Sequence, residues 1–218
     1  MWRRRFDRVL GADTPGRLLD VGAGIGTFLA LARDRGWSVE GTEVSTTAVV
    51  KAREKHDVVI HTGLVEEAAP PGPYDVICLW HVLEHLPNPG ETLQFCRGLI
   101  GKRGRIVLAM PNDGDAAWAL TIIGNAARRV LGRAPSRRYG PLRPGVESHI
   151  QHFDPRSIGR LLSQCGFIVD RITVDDASPQ RSRLGVMAFL ARRLLSRVTP
   201  WNFGREMLVI ASRAPTVH

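Results

Sequence analysis

Short apolar runs alternate with longer segments of helical length through the first half of the chain. The runs that predict strands are residues 17–21, 38–42, 58–61, 74–79 and 105–110. Helices are predicted to begin near Gly26, Ser45 and Pro89, between these strands. Strands that alternate with helices are typical of a parallel sheet covered on both faces. The pattern therefore predicts an α/β fold with a doubly wound sheet.

Two more strands are predicted in the second half, at residues 167–174 and 207–211. A helix is predicted just before the first of them. Asp154 is a suitable cap and Pro155 a suitable first-turn residue, and Gly166 follows the expected end of this helix.

Between Asn112 and Asp154 the alternation breaks. The stretch AAWALTIIGNAARRVLGR predicts an apolar-then-basic helix, and the proline- and glycine-rich stretch PSRRYGPLRPG follows it. The chain has 218 residues, the usual size of one α/β domain. We therefore expect a single domain over residues 1–218, with residues 113–153 inserted as a cap over the sheet.

The net charge of +9 is unevenly distributed along the chain. Residues 1–112 contain 14 lysines and arginines against 13 acidic residues, whereas residues 113–218 contain 16 arginines against 8 acidic residues. Six of these arginines fall in the insertion: Arg128, Arg129, Arg133, Arg137, Arg138 and Arg143. This stretch is either a solvated surface or a surface that meets phosphate, anionic lipid or an acidic substrate.

Cysteine spacing and apolar run length indicate a cytoplasmic protein. Cys78, Cys96 and Cys165 are far apart and lack metal-ligand spacing, which argues against a disulfide framework or a zinc site. The basic start MWRRRF is not followed by the apolar run of a secretory signal. No segment reaches the roughly 18 apolar residues of a spanning helix.

The strongest chemical signal is LLDVGAGIGTFL, residues 18–29, where an apolar strand runs into three closely spaced glycines. Glycines at such a turn let the backbone approach a ligand closely, and the following helix presents free N–H groups. The spacing is G-x-G-x-G, because Thr27 stands where a dinucleotide fingerprint needs its third glycine. This argues against an NAD-dependent dehydrogenase.

Glu43 stands at the end of the next predicted strand, in SVEGTEVS. An acid at this position after a glycine turn can accept hydrogen bonds from ribose hydroxyls. The two features together predict a site for a cofactor that contains ribose.

Three later stretches, GLVEEA, YDVICLWHVLEHLPNP and LIGKRGRIVLAMPN, follow in order, and HIQHFDPRSIGRLLSQCGF comes after the insertion. These stretches resemble the class I S-adenosylmethionine-dependent methyltransferases, and most of all the small-molecule branch that includes ubiquinone-biosynthesis-like enzymes. The resemblance implies a Rossmann-like, seven-stranded, mostly parallel sheet, with S-adenosylmethionine lying across the carboxyl ends of the strands.

The resemblance also implies a role for each matching residue. Gly22, Ala23, Gly24 and Gly26 would line the methionine part, with Asp20 under its amino group. Glu43 would hold the ribose. Val44, Leu64 and Val65 would meet the adenine, and Trp80 and His81 would lie near the sulfonium.

Histidines are the candidates for proton transfer, since histidine suits that role near neutral pH. By motif we place His152 first, as the group that deprotonates or orients the acceptor, and His81 second; His149 is a further candidate. In some quinone O-methyltransferases the positions of His81, Glu84 and His85 read Glu, Glu, His and are associated with a divalent metal. We expect no metal here, with Glu84 and His85 bonded to the loop that follows.

The resemblance implies methyl transfer to a small-molecule or lipid-linked acceptor, with O-methylation favoured over N- or C-methylation. The basic insertion suggests peripheral contact with a membrane surface. An RNA methyltransferase and a non-catalytic cofactor-binding protein are the alternatives. Nucleic acid is not the expected partner, because the stretch around Trp80 lacks the Asn-Pro-Pro-aromatic signature of many base-methylating relatives.

Overall fold

A computed structural model describes residues 1–68, 71–114, 149–174 and 206–215, and the short pieces 125–126, 128–132, 187, 190–191 and 194–195. Most of the predicted cap, residues 113–153, and of its predicted helix lies outside the described residues.

The described elements alternate along the chain as the sequence predicts. The strands are β1 (Arg17–Val21), β2 (Ser38–Glu43), β3 (Ile60–Thr62), β4 (Tyr74–Trp80), β5 (Ile100–Pro111), β6 (Phe167–Val174) and β7 (Glu206–Arg213). The helices are α1 (Trp2–Val9), α2 (Thr27–Arg33), α3 (Thr46–His56), α4 (Val65–Ala68), α5 (Pro89–Leu99) and α6 (Pro155–Gln164), with a 3₁₀ turn at Leu83–His85.

The strands form one seven-stranded sheet in the order β3-β2-β1-β4-β5-β7-β6. The first five strands pair in parallel, and β7 runs antiparallel to both β5 and β6. The predicted seven-stranded, mostly parallel sheet is confirmed. The order of the strands reverses at β1: β2 and β3 lie on one side of it, and β4 and the later strands lie on the other. The carboxyl ends of β1, β2 and β4 therefore meet at the position where such sheets bind ligands.

The strands carry a hydrophobic core on each face of the sheet. Along β4, Val76, Cys78 and Trp80 pack toward the α1 and α2 side, whereas Ile77 and Leu79 pack toward the α5 and α6 side. Successive side chains of a strand point to opposite faces, so a run that is apolar throughout is the signature of a strand covered on both sides.

Four features differ from the prediction. The helices α1 and α4 were not predicted at all. β3 begins at Ile60 rather than residue 58, because Val58 packs against Gly26 ahead of the ladder. β5 begins at Ile100 rather than residue 105, because Ile100 already pairs with Tyr74 across a register shift.

No helix among the described residues is long and apolar enough to cross a membrane.

A capping box starts α6 as the sequence predicts. The Asp154 carboxylate accepts a hydrogen bond from the Ser157 N–H (2.6 Å), and the Ser157 hydroxyl accepts one from the Asp154 N–H (2.9 Å). Burial alone would raise the pKa of Asp154, but the hydrogen bonds from Ser157 and Arg156 outweigh it and hold this pKa below its ordinary value of 3.8. The cap fixes the chain just after His152.

We predict that Asp154→Ala lowers the free energy of unfolding by about 1 kcal/mol at neutral pH, since the cap is lost. Asp154→Asn should retain most of the stability, because asparagine caps equally well. The lowered pKa stabilises the fold above pH 3.8, and that contribution is lost as pH falls through the folded-state pKa. Urea unfolding of the three proteins at neutral and acid pH checks this; an unchanged Asp154→Ala midpoint would contradict it.

Candidate active site

A cavity of about 390 Å³ opens at the carboxyl ends of β1, β2 and β4. This volume suits a small ligand. The lining residues are Val21, Gly22, Thr42, Glu43, Val44, Gly63, Leu64, Val65, Glu66, Trp80, His81, Val82, His85, Leu86, Pro87 and Thr92.

The glycine loop after β1 is tied to the neighbouring strand. The Thr42 carbonyl accepts hydrogen bonds from the N–H groups of Gly22 (2.8 Å) and Ala23 (2.9 Å). Gly22 has a φ of 70°, and a Cβ there would lie 2.5 Å from Val82 Cγ2. Gly26 has a φ of 73°, and a Cβ there would lie 2.7 Å from Val58. Both positions therefore require glycine for backbone conformation and for space.

Glu43 joins the loops that follow β1 and β2. Its Oε2 accepts a hydrogen bond from the Gly24 N–H (2.8 Å), and its Oε1 accepts one from the Ser45 N–H (2.9 Å). Ser45 in turn caps α3 through the Ala48 N–H. The carboxylate thus reaches the cavity already oriented, with lone pairs left for ribose hydroxyls.

Asp20 lies beneath the glycine loop, 1% exposed. Burial, and then the charge of Glu43, raise the pKa of this carboxyl well above its ordinary value. Its Oδ1 has no hydrogen-bond partner among the described residues. A buried acceptor without a donor is rare in native proteins. A cationic ligand group at the loop would favour the ionised form of this carboxyl.

Apolar and aromatic side chains form the rest of the wall. Val44 and Leu64 are exposed at the rim, and Val65 is buried behind them. Trp80 stands at the end of β4, in edge contact with Phe28 (4.9 Å between ring centroids). Its buried indole N–H lacks a partner among the described residues. Apolar and aromatic surfaces next to an acidic group suit a nucleoside.

The structure brings together most of the predicted cofactor residues. Those that line the cavity are Gly22, Glu43, Val44, Leu64, Val65, Trp80 and His81. Those that support the loop behind the lining are Asp20, Ala23, Gly24 and Gly26. Their contacts with a cofactor stay predictions.

His81 adopts a left-handed backbone conformation, with a φ of 57°, which is uncommon for a residue other than glycine. Its N–H donates to the Ala109 carbonyl (2.8 Å). Its ring lies between two neighbours: Nδ1 is 3.3 Å from Glu84 Oε1, and Nε2 is 2.9 Å from Arg5 Nη2.

Among the described residues, the side chain of Glu84 does not bond to the loop that follows it, contrary to the expectation from the sequence. Its side chain turns back to His81 rather than to the following loop, while its carbonyl accepts hydrogen bonds from Ile150 and Gln151 (both 3.0 Å). Donor atoms of Glu84, His85 and His149 lie within 4.8 Å of one another. These three side chains are of types that ligate divalent cations, and the expectation that no metal binds here stays a prediction.

His152 pairs with an acid at the same edge of the sheet. Its Nδ1 is 3.1 Å from Asp113 Oδ2, just beyond the end of β5, and the Asp113 N–H donates to the Phe153 carbonyl. His152 is 62% exposed and does not line the described cavity.

Several lining residues were not predicted from the sequence. Glu66, Leu86, Pro87 and Thr92 flank the cavity, and Thr92 donates a hydrogen bond to Glu66. They lie within or just beyond GLVEEA and LWHVLEHLPNP, so these family-like stretches could have predicted them as lining residues. Nothing in the sequence near Arg5 indicates its place beside the site, because its partners His81 and Glu206 lie far along the chain.

The family described as a methyltransferase domain matches residues 1–172, more than half of the chain. A ubiquinone biosynthesis O-methyltransferase of Caulobacter sp. (strain K31) is 32% identical over 169 residues, which cover 73% of this chain and 63% of the relative. The protein of the same name from Sodalis glossinidius is 31% identical over 125 residues, which cover 54% of this chain and 49% of the relative. The chain thus spans about half to two thirds of these relatives.

Solved structures agree with the architecture. A putative S-adenosylmethionine-dependent methyltransferase from Listeria monocytogenes superposes with a TM-score of 0.69 at 16% identity, and the match covers 98% of this chain and 96% of that one. At this identity the likeness concerns the fold. Family match, sheet order and glycine loop agree, and the chain belongs to the class I S-adenosylmethionine-dependent methyltransferase family.

Proposed function

We propose that this chain transfers the methyl group of S-adenosylmethionine to a hydroxyl oxygen of a small-molecule or lipid-linked acceptor. The observation that carries the proposal is the carboxylate of Glu43, fixed by Gly24 and Ser45 at one end of a cavity whose other end is Trp80 and His81. The names of the curated relatives, ubiquinone biosynthesis O-methyltransferases, support oxygen as the accepting atom.

Each end of the cavity suits one part of the cofactor. Glu43 would accept hydrogen bonds from the ribose hydroxyls, and Val44, Leu64 and Val65 would pack on the adenine. Asp20 would stabilise the amino group of the methionine part through the loop above it. Trp80 and His81 would then flank the sulfonium and face the acceptor.

The cofactor supplies an activated methyl group, so the protein mainly has to align the acceptor oxygen with it. Alignment of two reactants can contribute about 7–11 kcal/mol to lowering the barrier. The acceptor hydroxyl must also lose a proton. His152 is the proposed base: if Asp113 accepts the Nδ1 hydrogen, Nε2 is left to accept that proton, as in other acid-oriented histidines.

We predict that Glu43→Ala weakens the affinity for S-adenosylhomocysteine by at least about ten-fold, since each hydrogen bond to a carboxylate is worth about 1.5–3 kcal/mol. Isothermal titration calorimetry measures the effect. Glu54→Ala, on the exposed side of α3, is the matched control and should bind as the wild type does. Equal affinities of the two variants would contradict the role of Glu43.

We predict that His152→Ala lowers turnover roughly 10²- to 10⁴-fold while leaving cofactor affinity unchanged. Asp113→Asn should lower turnover in the same direction, because the ring loses its orienting acid. Formation of S-adenosylhomocysteine with a panel of catechols and prenylated phenols gives the readout, and His56→Ala on α3 is the control. Full turnover by His152→Ala would remove this residue from the mechanism.

The insertion is proposed to contact an anionic membrane surface, which would suit a lipid-linked acceptor. Its described part exposes Arg128 and Arg129 next to Val130 (87% exposed) and Leu131 (68% exposed). Cationic and apolar side chains side by side are the composition of interfacial segments. Arginine charges attract anionic lipid, and apolar side chains then enter the interface.

We predict salt-sensitive co-sedimentation with phosphatidylcholine vesicles that contain phosphatidylglycerol, and little with phosphatidylcholine alone. The double substitution Val130→Asp and Leu131→Asp should abolish it, whereas Val50→Asp, on the exposed face of α3, should not. Absence of binding, or binding that is indifferent to lipid charge and salt, would contradict the contact. Competition by RNA at low salt would instead favour a nucleic-acid partner.

A further inference from the structure

Arg5 is a buried arginine at the edge of the candidate active site. It projects from α1 and is only 2% exposed. Its guanidinium carbon lies 5.3 Å from the Trp2 ring centroid and 5.2 Å from that of Trp80, so the cation lies beside both rings, which are in edge contact with each other (5.7 Å between centroids). Burying a charge is costly unless the charge is paired. Arg5 has such pairing, since Nη2 lies 3.4 Å from Glu206 Oε2 on β7.

The same nitrogen of Arg5 determines the state of His81. A guanidinium has donors and no acceptor. Arg5 Nη2 lies 2.9 Å from His81 Nε2, and Glu206 Oε2 lies 3.6 Å from the same nitrogen. The shorter contact is with the donor, and we therefore assign Nε2 as the ring nitrogen without hydrogen. The ring hydrogen is then on Nδ1, which faces Glu84 Oε1 at 3.3 Å. Arg5 is thus the donor to His81, and His81 is the donor to the buried carboxylate of Glu84.

We propose that Arg5 is a positioning residue of the active site, which holds the His81 ring with Nε2 toward Arg5 and the hydrogen-bearing Nδ1 toward Glu84. α1 then forms part of the wall behind the acceptor end of the cavity. This inference rests on the proposed function for its catalytic meaning. His81 supplies a fixed surface beside the acceptor, and removal of the acceptor proton falls to another group such as His152.

Three observations distinguish this role from ordinary helix packing. The neighbouring arginines of α1 do not share it: Arg3 and Arg4 are exposed, and Arg8 donates to Thr173 on β6. His81 lines the cavity, so its orientation affects the site directly. Its left-handed backbone conformation also sets the ring between Arg5 and Glu84, and such conformations persist where the surroundings hold them.

Nitrogen-15 NMR of the histidine rings tests the proposal on the full chain at neutral pH. Unprotonated and protonated imidazole nitrogens have widely separated chemical shifts, and His81→Gln assigns the His81 signals by their loss. The wild type should show Nε2 unprotonated and Nδ1 protonated. Arg5→Met should move both signals toward the average of two tautomers, and Arg5→Lys should restore them in part because lysine still donates.

Arg8→Met is the matched control: it removes an arginine of the same helix and should leave the His81 signals unchanged. A wild-type His81 that carries its hydrogen on Nε2, or that already averages two tautomers, overturns the proposal without any variant. Identical signals in wild type and folded Arg5→Met overturn it as well. Binding of S-adenosylhomocysteine is measured in parallel, so loss of the proposed function is seen separately from failure of the tautomer assignment.

Discussion

The carboxylate of Glu43 is the contact on which the geometry of the site depends. Parallel pairing brings the ends of β1 and β2 side by side, but the loops beyond them have no ladder to hold them. Glu43 accepts one hydrogen bond from each loop, at Gly24 and at Ser45, and the Thr42 carbonyl adds two more to the glycine turn. The turn that must lie against a ligand is thereby fixed before the ligand arrives, which lowers the entropic cost of binding.

The opposite end of the cavity is built from residues that meet only in the folded chain. β4 ends at Trp80, and His81 follows it. Behind these two residues lie Trp2 and Arg5 from the first helix and Glu206 from the last strand. Fixed polar groups and an aromatic wall suit a reaction whose main demand is alignment. Asp20, Trp80 and Glu84, in or next to this cavity, each have a buried polar atom without a partner among the described residues, and His56 and Arg105 have such atoms away from it.

Much of this could be predicted from the sequence. The central strands are buried on both faces and therefore appear in the sequence as continuous apolar runs. Gly22 and Gly26 are recognisable because their positive φ values favour glycine and a Cβ there would meet a neighbouring side chain. Glu43 shows because it ends a strand next to a glycine turn. Arg5 could not be predicted: it lies 76 residues from His81 and 201 from Glu206, and no local pattern encodes such pairs. α1 itself was predictable, since Trp2, Phe6, Val9 and Leu10 have helical spacing.

The most direct test of the account is equilibrium binding of S-adenosylmethionine and of NAD to the wild-type chain, measured side by side by calorimetry. We expect saturable one-to-one binding of S-adenosylmethionine and none of NAD, because Thr27 breaks the dinucleotide spacing. Binding of NAD, or no binding of S-adenosylmethionine to folded protein, would contradict it.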